Sequence, residues 1–118
     1  LRLKISLMSF SIELTEHFKK EAKKLNKKYR SLKDELEALN KELSKNPSTG
    51  IPLGHNVYKI RLSIASKGKG KSGGARVITF VKIVKEKVFL VSIFDKSTLE
   101  NITKDQILEL LKRAGLVD

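Results

Sequence analysis

The chain has 118 residues, 40% hydrophobic but only 6% aromatic, enough for one domain of two layers with a modest core. It has no Cys and two His, His17 and His55, which excludes a disulfide scaffold, a thiolate zinc site, a Cys nucleophile and a three-His metal centre. Lys+Arg 25 against Asp+Glu 13 leave a formal charge of +12, an excess that calls for an anionic partner.

Residues 1–7 (LRLKISL) place apolar side chains on odd positions, whereas Phe10, Ile12 and Leu14 are even. A regular strand cannot change parity without a bulge, so the first strand is expected over Ser9–Leu14. Residues 1–8 are read as an upstream or appended segment, with Met8 a natural start. Thr15 is placed to N-cap a helix from Glu16. Apolar residues then recur at Phe18, Ala22, Leu25, Tyr29, Leu32, Leu36, Leu39 and Leu43, a helical stripe. Ser31 with Asp34 resembles a second capping signal, so a hairpin of helices 16–29 and 32–44 is preferred to one long rod. Residues 15–45 hold ten bases and six acids, the mixed charge of a solvated helix face.

Residues 46–54 contain both prolines and read as a connector. Val57–Ala65 alternates, with Tyr58, Ile60, Leu62 and Ile64 on one face and Lys59, Arg61 and Ser63 on the other. Ser66–Gly74 (SKGKGKSGG) reads as a flexible loop. Strands are expected at Ala75–Val84 and Val88–Phe94, joined by a Lys85-Glu86-Lys87 turn. In the first of them both alternating faces are largely apolar, and pattern does not decide which is buried. Thr103 with Gln106 forms a capping box for a helix over 104–114, with Gly115 at its C′ position. The resulting fold class is α+β: a small antiparallel β-sheet with an N-terminal helical hairpin and a C-terminal helix, in the order βααβββα, with the helices against one face.

Residues 59–87 hold nine bases against Glu86 alone. Gly70-Lys71-Ser72 is not a P-loop: Ala65 stands where the pattern needs Gly, and a strand rather than a helix follows. The lysines Lys67, Lys69 and Lys71, with Lys82, are instead candidates for contact with nucleic-acid phosphates. Lys59 and Arg61 point the same way from one strand, and an antiparallel neighbour can bring Arg76 beside them. Like charges on one face repel, so the cluster makes sense when a polyanion fills it. No metal-ligand spacing is evident, and no cofactor is expected.

Tyr58-Lys59-Ile60-Arg61-Leu62, the stretch Gly73-Gly74-Ala75-Arg76-Val77-Ile78, Phe94-Asp95-Lys96-Ser97 and the order of elements together resemble the RelE/ParE superfamily of bacterial toxins from type II toxin–antitoxin systems, nearest the HigB/RelE branch. The resemblance covers residues 9–114 and implies a single toxin domain at 9–115. It further implies a cytoplasmic endoribonuclease that cuts mRNA, often on the ribosome, and is held inactive by a cognate antitoxin, with no membrane partner. Carried over by position, Lys59, Arg61, Arg76 and Lys96 are the catalytic candidates, with Arg76 at the scissile phosphate. Leu99-Glu100-Asn101-Ile102 lacks a tyrosine that RelE itself carries near its last helix. Attack by the RNA 2′-OH needs a base, charge stabilisation and protonation of the leaving oxygen. Fixed cations can stabilise the charge without a metal. Lys59 is the candidate base. The competing readings are a ParE-like gyrase inhibitor and a non-enzymatic nucleic-acid-binding module.

Overall fold

The computed structural model describes residues 9–68, 70–97, 99 and 101–118, and of 71 and 72 the backbone alone. The expected segment 1–8, Lys69 and the Lys71 side chain therefore lie outside the described residues.

β1 (Ser11–Leu14) leads through Thr15 into α1 (Glu16–Lys28). The Thr15 hydroxyl accepts from Phe18 N at 3.2 Å, the expected cap. A short turn at Tyr29–Ser31 follows, and α2 (Leu32–Lys45) packs back as the second arm of the hairpin. Ser31 does not cap α2: its hydroxyl accepts from Ser66 N at 2.9 Å and donates to Glu35 Oε1 at 3.2 Å. The strands β2 (Ile51–Gly54), β3 (Val57–Leu62), β4 (Ala75–Lys82) and β5 (Lys87–Asp95) then follow as a meander. Between β3 and β4 the chain makes a 3₁₀ turn at Ala65–Lys67 and a single helical turn at Gly70–Gly73, where an open loop was expected. α3 (Lys104–Arg113) closes the fold with its capping box in place and Gly115 at φ 71° beyond its end.

The sheet order is β1-β5-β4-β3-β2. The meander pairs are antiparallel, but β1 runs parallel to β5, so the sheet is mixed rather than purely antiparallel. The helical hairpin causes this. It carries the chain from β1 to the far edge, and the meander returns to β1 from there. β2 is the strand hidden in the proline-rich connector; its edge position tolerates Pro52.

Helices cover both faces, which corrects the one-sided arrangement. α1 and α2 pack Phe18, Leu32, Leu39 and Leu43 on Ile60, Val77, Val81, Val88, Leu90 and Ile93. α3 packs Ile107 and Leu111 on the other face, against Val57, Ile78, Phe80, Val91 and Phe94. Ala75–Val81 is accordingly buried at every position, on both sides of its alternation.

Candidate functional site

The register of β3 and β4 decides where the cations meet. Arg61 lies directly opposite Arg76, and Lys59 opposite Ile78. Cross-strand partners stand about 4.5–5.5 Å apart at Cα and share a face. Lys59, Arg61 and Arg76 therefore emerge on one side of the sheet, the α3 side, at one end of it. Gly74 permits this register. A Cβ there would collide with the Leu62 carbonyl oxygen, so only glycine lets the chain pass the end of β3 and enter β4 opposite it.

Arg61 is exposed, whereas Arg76 is 5% exposed beside Phe94, its partner on β5. Arg76 Nη1 donates to Ala75 O at 3.1 Å. Burial, and then the like charge of Arg61, lower its pKa from the ordinary guanidinium value. Lys59 Nζ reaches Asn101 Oδ1 at 3.5 Å, which ties the β3 lysine to the approach of α3. Lys96 follows the end of β5, and its N–H donates to Gly74 O at 3.0 Å. The four catalytic candidates thus collect at one end of the sheet.

The RNA-contact candidates do not stay together. Lys82 sits at the opposite end of β4, paired with Lys87, about 20 Å from Arg76 along the strand. Lys67 turns inward instead of outward. Its ammonium donates to Asp95 Oδ1 at 2.5 Å and its side chain is only 8% exposed. The turn at Ala65–Lys67 is pinned from behind by Glu35, which accepts from Ala65 N at 2.5 Å, and by the Ser31–Ser66 pair. That pinning aims the lysine at the carboxylate.

Sequence reasoning missed the hub this creates. Asp95 is 2% exposed. Beside Lys67, it accepts from Tyr29 Oη at 2.6 Å, Ser97 N at 2.9 Å and Ser97 Oγ at 2.7 Å, with Lys28 Nζ at 3.7 Å. Burial pushes its pKa up, but the bonds from Lys67, Tyr29 and Ser97 outweigh burial and hold the carboxyl below the usual range. The Lys28 and Lys67 ammoniums lie 5.3 and 5.6 Å from the centre of the Tyr29 ring. The only signal in the sequence is an acid closing a long apolar run, which equally describes a turn.

His55 occupies the β2–β3 turn at φ 53°, and His17 pairs with Glu21 at 3.0 Å on α1; neither joins the cluster. Among the described residues no group of three or more His, Cys, Asp or Glu is placed to hold a metal ion. No helix among them is long and apolar enough to cross a membrane.

The fold is similar to that of a mutant of the Escherichia coli toxin RelE in the free state, with TM-score 0.60 and 22% identity over 90% of this chain and 98% of that one. It is also similar to a chain of the Mycobacterium tuberculosis toxin–antitoxin complex RelBE2, with TM-score 0.55 and 15% identity over 75% of this chain and 93% of that one. Residues 11–118 match the family model described as "RelE toxin of RelE / RelB toxin-antitoxin system". The chain therefore belongs to the RelE toxin family.

Proposed function

We propose that this toxin is an endoribonuclease that cuts mRNA, associated with the ribosome, in the bacterial cytoplasm, and that a cognate antitoxin restrains it. The observation that carries the reading is the Arg61–Arg76 pair, two guanidiniums held across adjacent strands with Lys59 two residues along β3 on the same face. Like charges directly opposite each other across a strand pair repel, and a bound phosphate would relieve that repulsion. The RelBE2 toxin–antitoxin complex, whose chain shares this fold, supports a protein partner.

In the proposed reaction the 2′-oxygen of the substrate RNA attacks the adjacent phosphorus as Lys59 accepts its proton. Charge builds on the non-bridging oxygens. Arg76, planar and permanently charged, meets it with a forked pair of donors. Arg61 flanks the phosphate, and the Lys96 ammonium gives a proton to the departing 5′-oxygen. The P–O5′ bond breaks as the P–O2′ bond forms. The products are a 2′,3′-cyclic phosphate and a 5′-hydroxyl. Positioning and fixed charge do most of the work.

Primer extension on transcripts after brief expression tests this. The wild-type chain should give discrete breaks, with 5′-hydroxyl ends at the downstream fragments. Lys59→Ala and Arg76→Ala should each lower cutting by about 10²-fold or more. Undiminished cutting by both variants removes the site; gyrase-linked DNA damage without RNA breaks replaces the reading with the DNA-directed one.

A further inference from the structure

Lys59 keeps different company from the other lysines that the structure shows in a pair. Lys19 meets Glu16 at 3.1 Å, Lys87 meets Glu13 at 2.6 Å, and Lys67 and Lys28 converge on Asp95 at 2.5 and 3.7 Å. Each of those ammoniums faces a carboxylate. Lys59 Nζ instead reaches the amide oxygen of Asn101, at 3.5 Å, and no acid pairs with it among the described residues. Its strand neighbours are uncharged as well. Ile51 on β2 and Ile78 on β4 stand directly opposite it, and β5 brings Ser92 to the same row. The charged groups at this end of the sheet are the cations Arg61, Arg76 and Lys96; the first turn of α3 adds Lys104 and Asp105, and the β2–β3 turn His55.

A neutral partner suits a base. An amine takes up a proton only through the lone pair of its uncharged form, and a carboxylate beside it favours the ammonium. An amide oxygen accepts an N–H from either form. It fixes the direction of the nitrogen without adding an anion that retains the proton. Asn101 is itself held in place. The next residue, Ile102, packs against the cluster of Val57, Ile78 and Phe94, and Thr103 opens the capping box of α3. The amide is thus tethered through β4 and α3, while Lys59 reaches it from β3. A separation of 3.5 Å is long, as hydrogen bonds of reacting groups commonly are before substrate enters and tightens them.

We propose that Asn101 is a positioning residue for the cleavage reaction: its amide oxygen orients the Lys59 amine towards the 2′-proton and, being neutral, leaves that amine able to take it. The role rests on the cleavage reading and on Lys59 as the base. Asn101 acts through Lys59 and makes no contact with the phosphate.

Two substitutions in the full chain separate charge from orientation. Asn101→Asp keeps the shape and an acceptor but adds an anion; Asn101→Ala removes the acceptor. Asn101 is exposed, so neither should move the urea midpoint. Titration of Lys59 is followed by NMR on chains labelled at lysine Cε, its signal assigned by its loss in Lys59→Ala. Cutting of a transcript on ribosomes is timed at neutral pH. Asn101→Asp should carry the Lys59 titration upward by about 0.5–1 pH unit and slow cutting in proportion, by about threefold to tenfold. Asn101→Ala should slow cutting by a similar factor, about threefold to tenfold, with no upward move of the titration and with the half-saturating toxin concentration unchanged. In a Lys59→Ala chain neither substitution should lower the residual rate further. A Lys59 titration unmoved in Asn101→Asp, or wild-type cutting by Asn101→Ala, overturns the role and leaves the cleavage reading standing. So does a further loss in the Lys59→Ala background, which would put Asn101 on the substrate. A wild-type chain that cuts no RNA defeats the cleavage reading and this role with it, and the NMR titration still shows whether Asn101 meets Lys59.

Discussion

Two groups of cations stand at the same end of this sheet, on opposite faces of it. On the helical-hairpin side, Lys67 and Lys28 converge on the buried Asp95 carboxylate, which Tyr29 and Ser97 also engage. On the α3 side, Arg61 faces another cation, Arg76, across the β3–β4 ladder. The first group is neutralised within the fold and fixes the basic turn in place. The second sets two guanidiniums directly opposite each other across a strand pair, where like charges repel. A lysine's position in a glycine-rich basic loop therefore does not show whether it serves the fold or a ligand. What faces its ammonium does.

The largest expected effect belongs to the neutralised group. Asp95→Asn keeps the shape and leaves Lys67 buried without its counter-ion, a loss of about 3–5 kcal/mol at neutral pH. The sign with pH follows from the depressed carboxyl pKa. A carboxylate held below its unfolded value of about 3.9 contributes its full stability above that pH and loses it as pH falls towards the folded pKa. Urea unfolding should give a constant gap between wild type and Asp95→Asn from about pH 5 to 8, narrowing below about pH 4. A gap of the same size at low pH would mean that the loss comes from hydrogen bonding or packing, and not from charge.

The paired guanidiniums should respond in the reverse manner. Arg76→Met removes a buried charge whose pKa is already lowered by burial and by Arg61, and fills the same space beside Phe94. Stability should fall by less than in Asp95→Asn, because relief of the guanidinium's desolvation and of its repulsion from Arg61 offsets part of the contacts it loses. RNA cutting should nevertheless fall by about 10²–10³-fold, the usual loss when a donor to developing charge is removed. Loss of fold stability comparable to that of Asp95→Asn would place Arg76 with the structural cations and erase the contrast.

Legibility in the sequence divides along the same line. β3, β4, β5, the helical stripe and the α3 capping box follow from periodicity and local capping chemistry, which neighbouring residues determine. Lys59, Arg61 and Arg76 were legible as a cluster because a period of two and one antiparallel turn suffice to align them. Local signals could not give β2, which lies with Pro52 inside a stretch that reads as a connector, nor the parallel β1–β5 pair, since alternation carries no strand direction. They also could not give the second helical layer. Arg76, Ile78 and Phe80 alternate with Val77, Thr79 and Val81, and only the path of the chain after β5 puts α3 over the first set. Lys67 and Asp95 are 28 residues apart, so their bond depends on how the turn at Ala65–Lys67 is pinned by Ser31 and Glu35.

The finest test asks whether the Asp95 hub acts as one unit. Tyr29→Phe deletes only the hydroxyl bonded to Asp95 at 2.6 Å and keeps the ring beside Lys28 and Lys67. A hydrogen bond to a charged group contributes about 1.5–3 kcal/mol. The lower end is expected here, because Lys67 and Ser97 still hold the carboxylate. RNA cutting should not change measurably, since the Lys67 bond alone keeps the turn against β5. In the Asp95→Asn background the same substitution should cost less, because the hydroxyl then meets a neutral amide in place of a carboxylate. The difference between the two losses is the coupling energy of the pair, and it should approach 1 kcal/mol, as for other contacting groups (about 0.5–3 kcal/mol). Simple additivity would mean that Tyr29 stabilises the corner by packing alone, and Lys67 would then be left as the principal partner of the carboxylate.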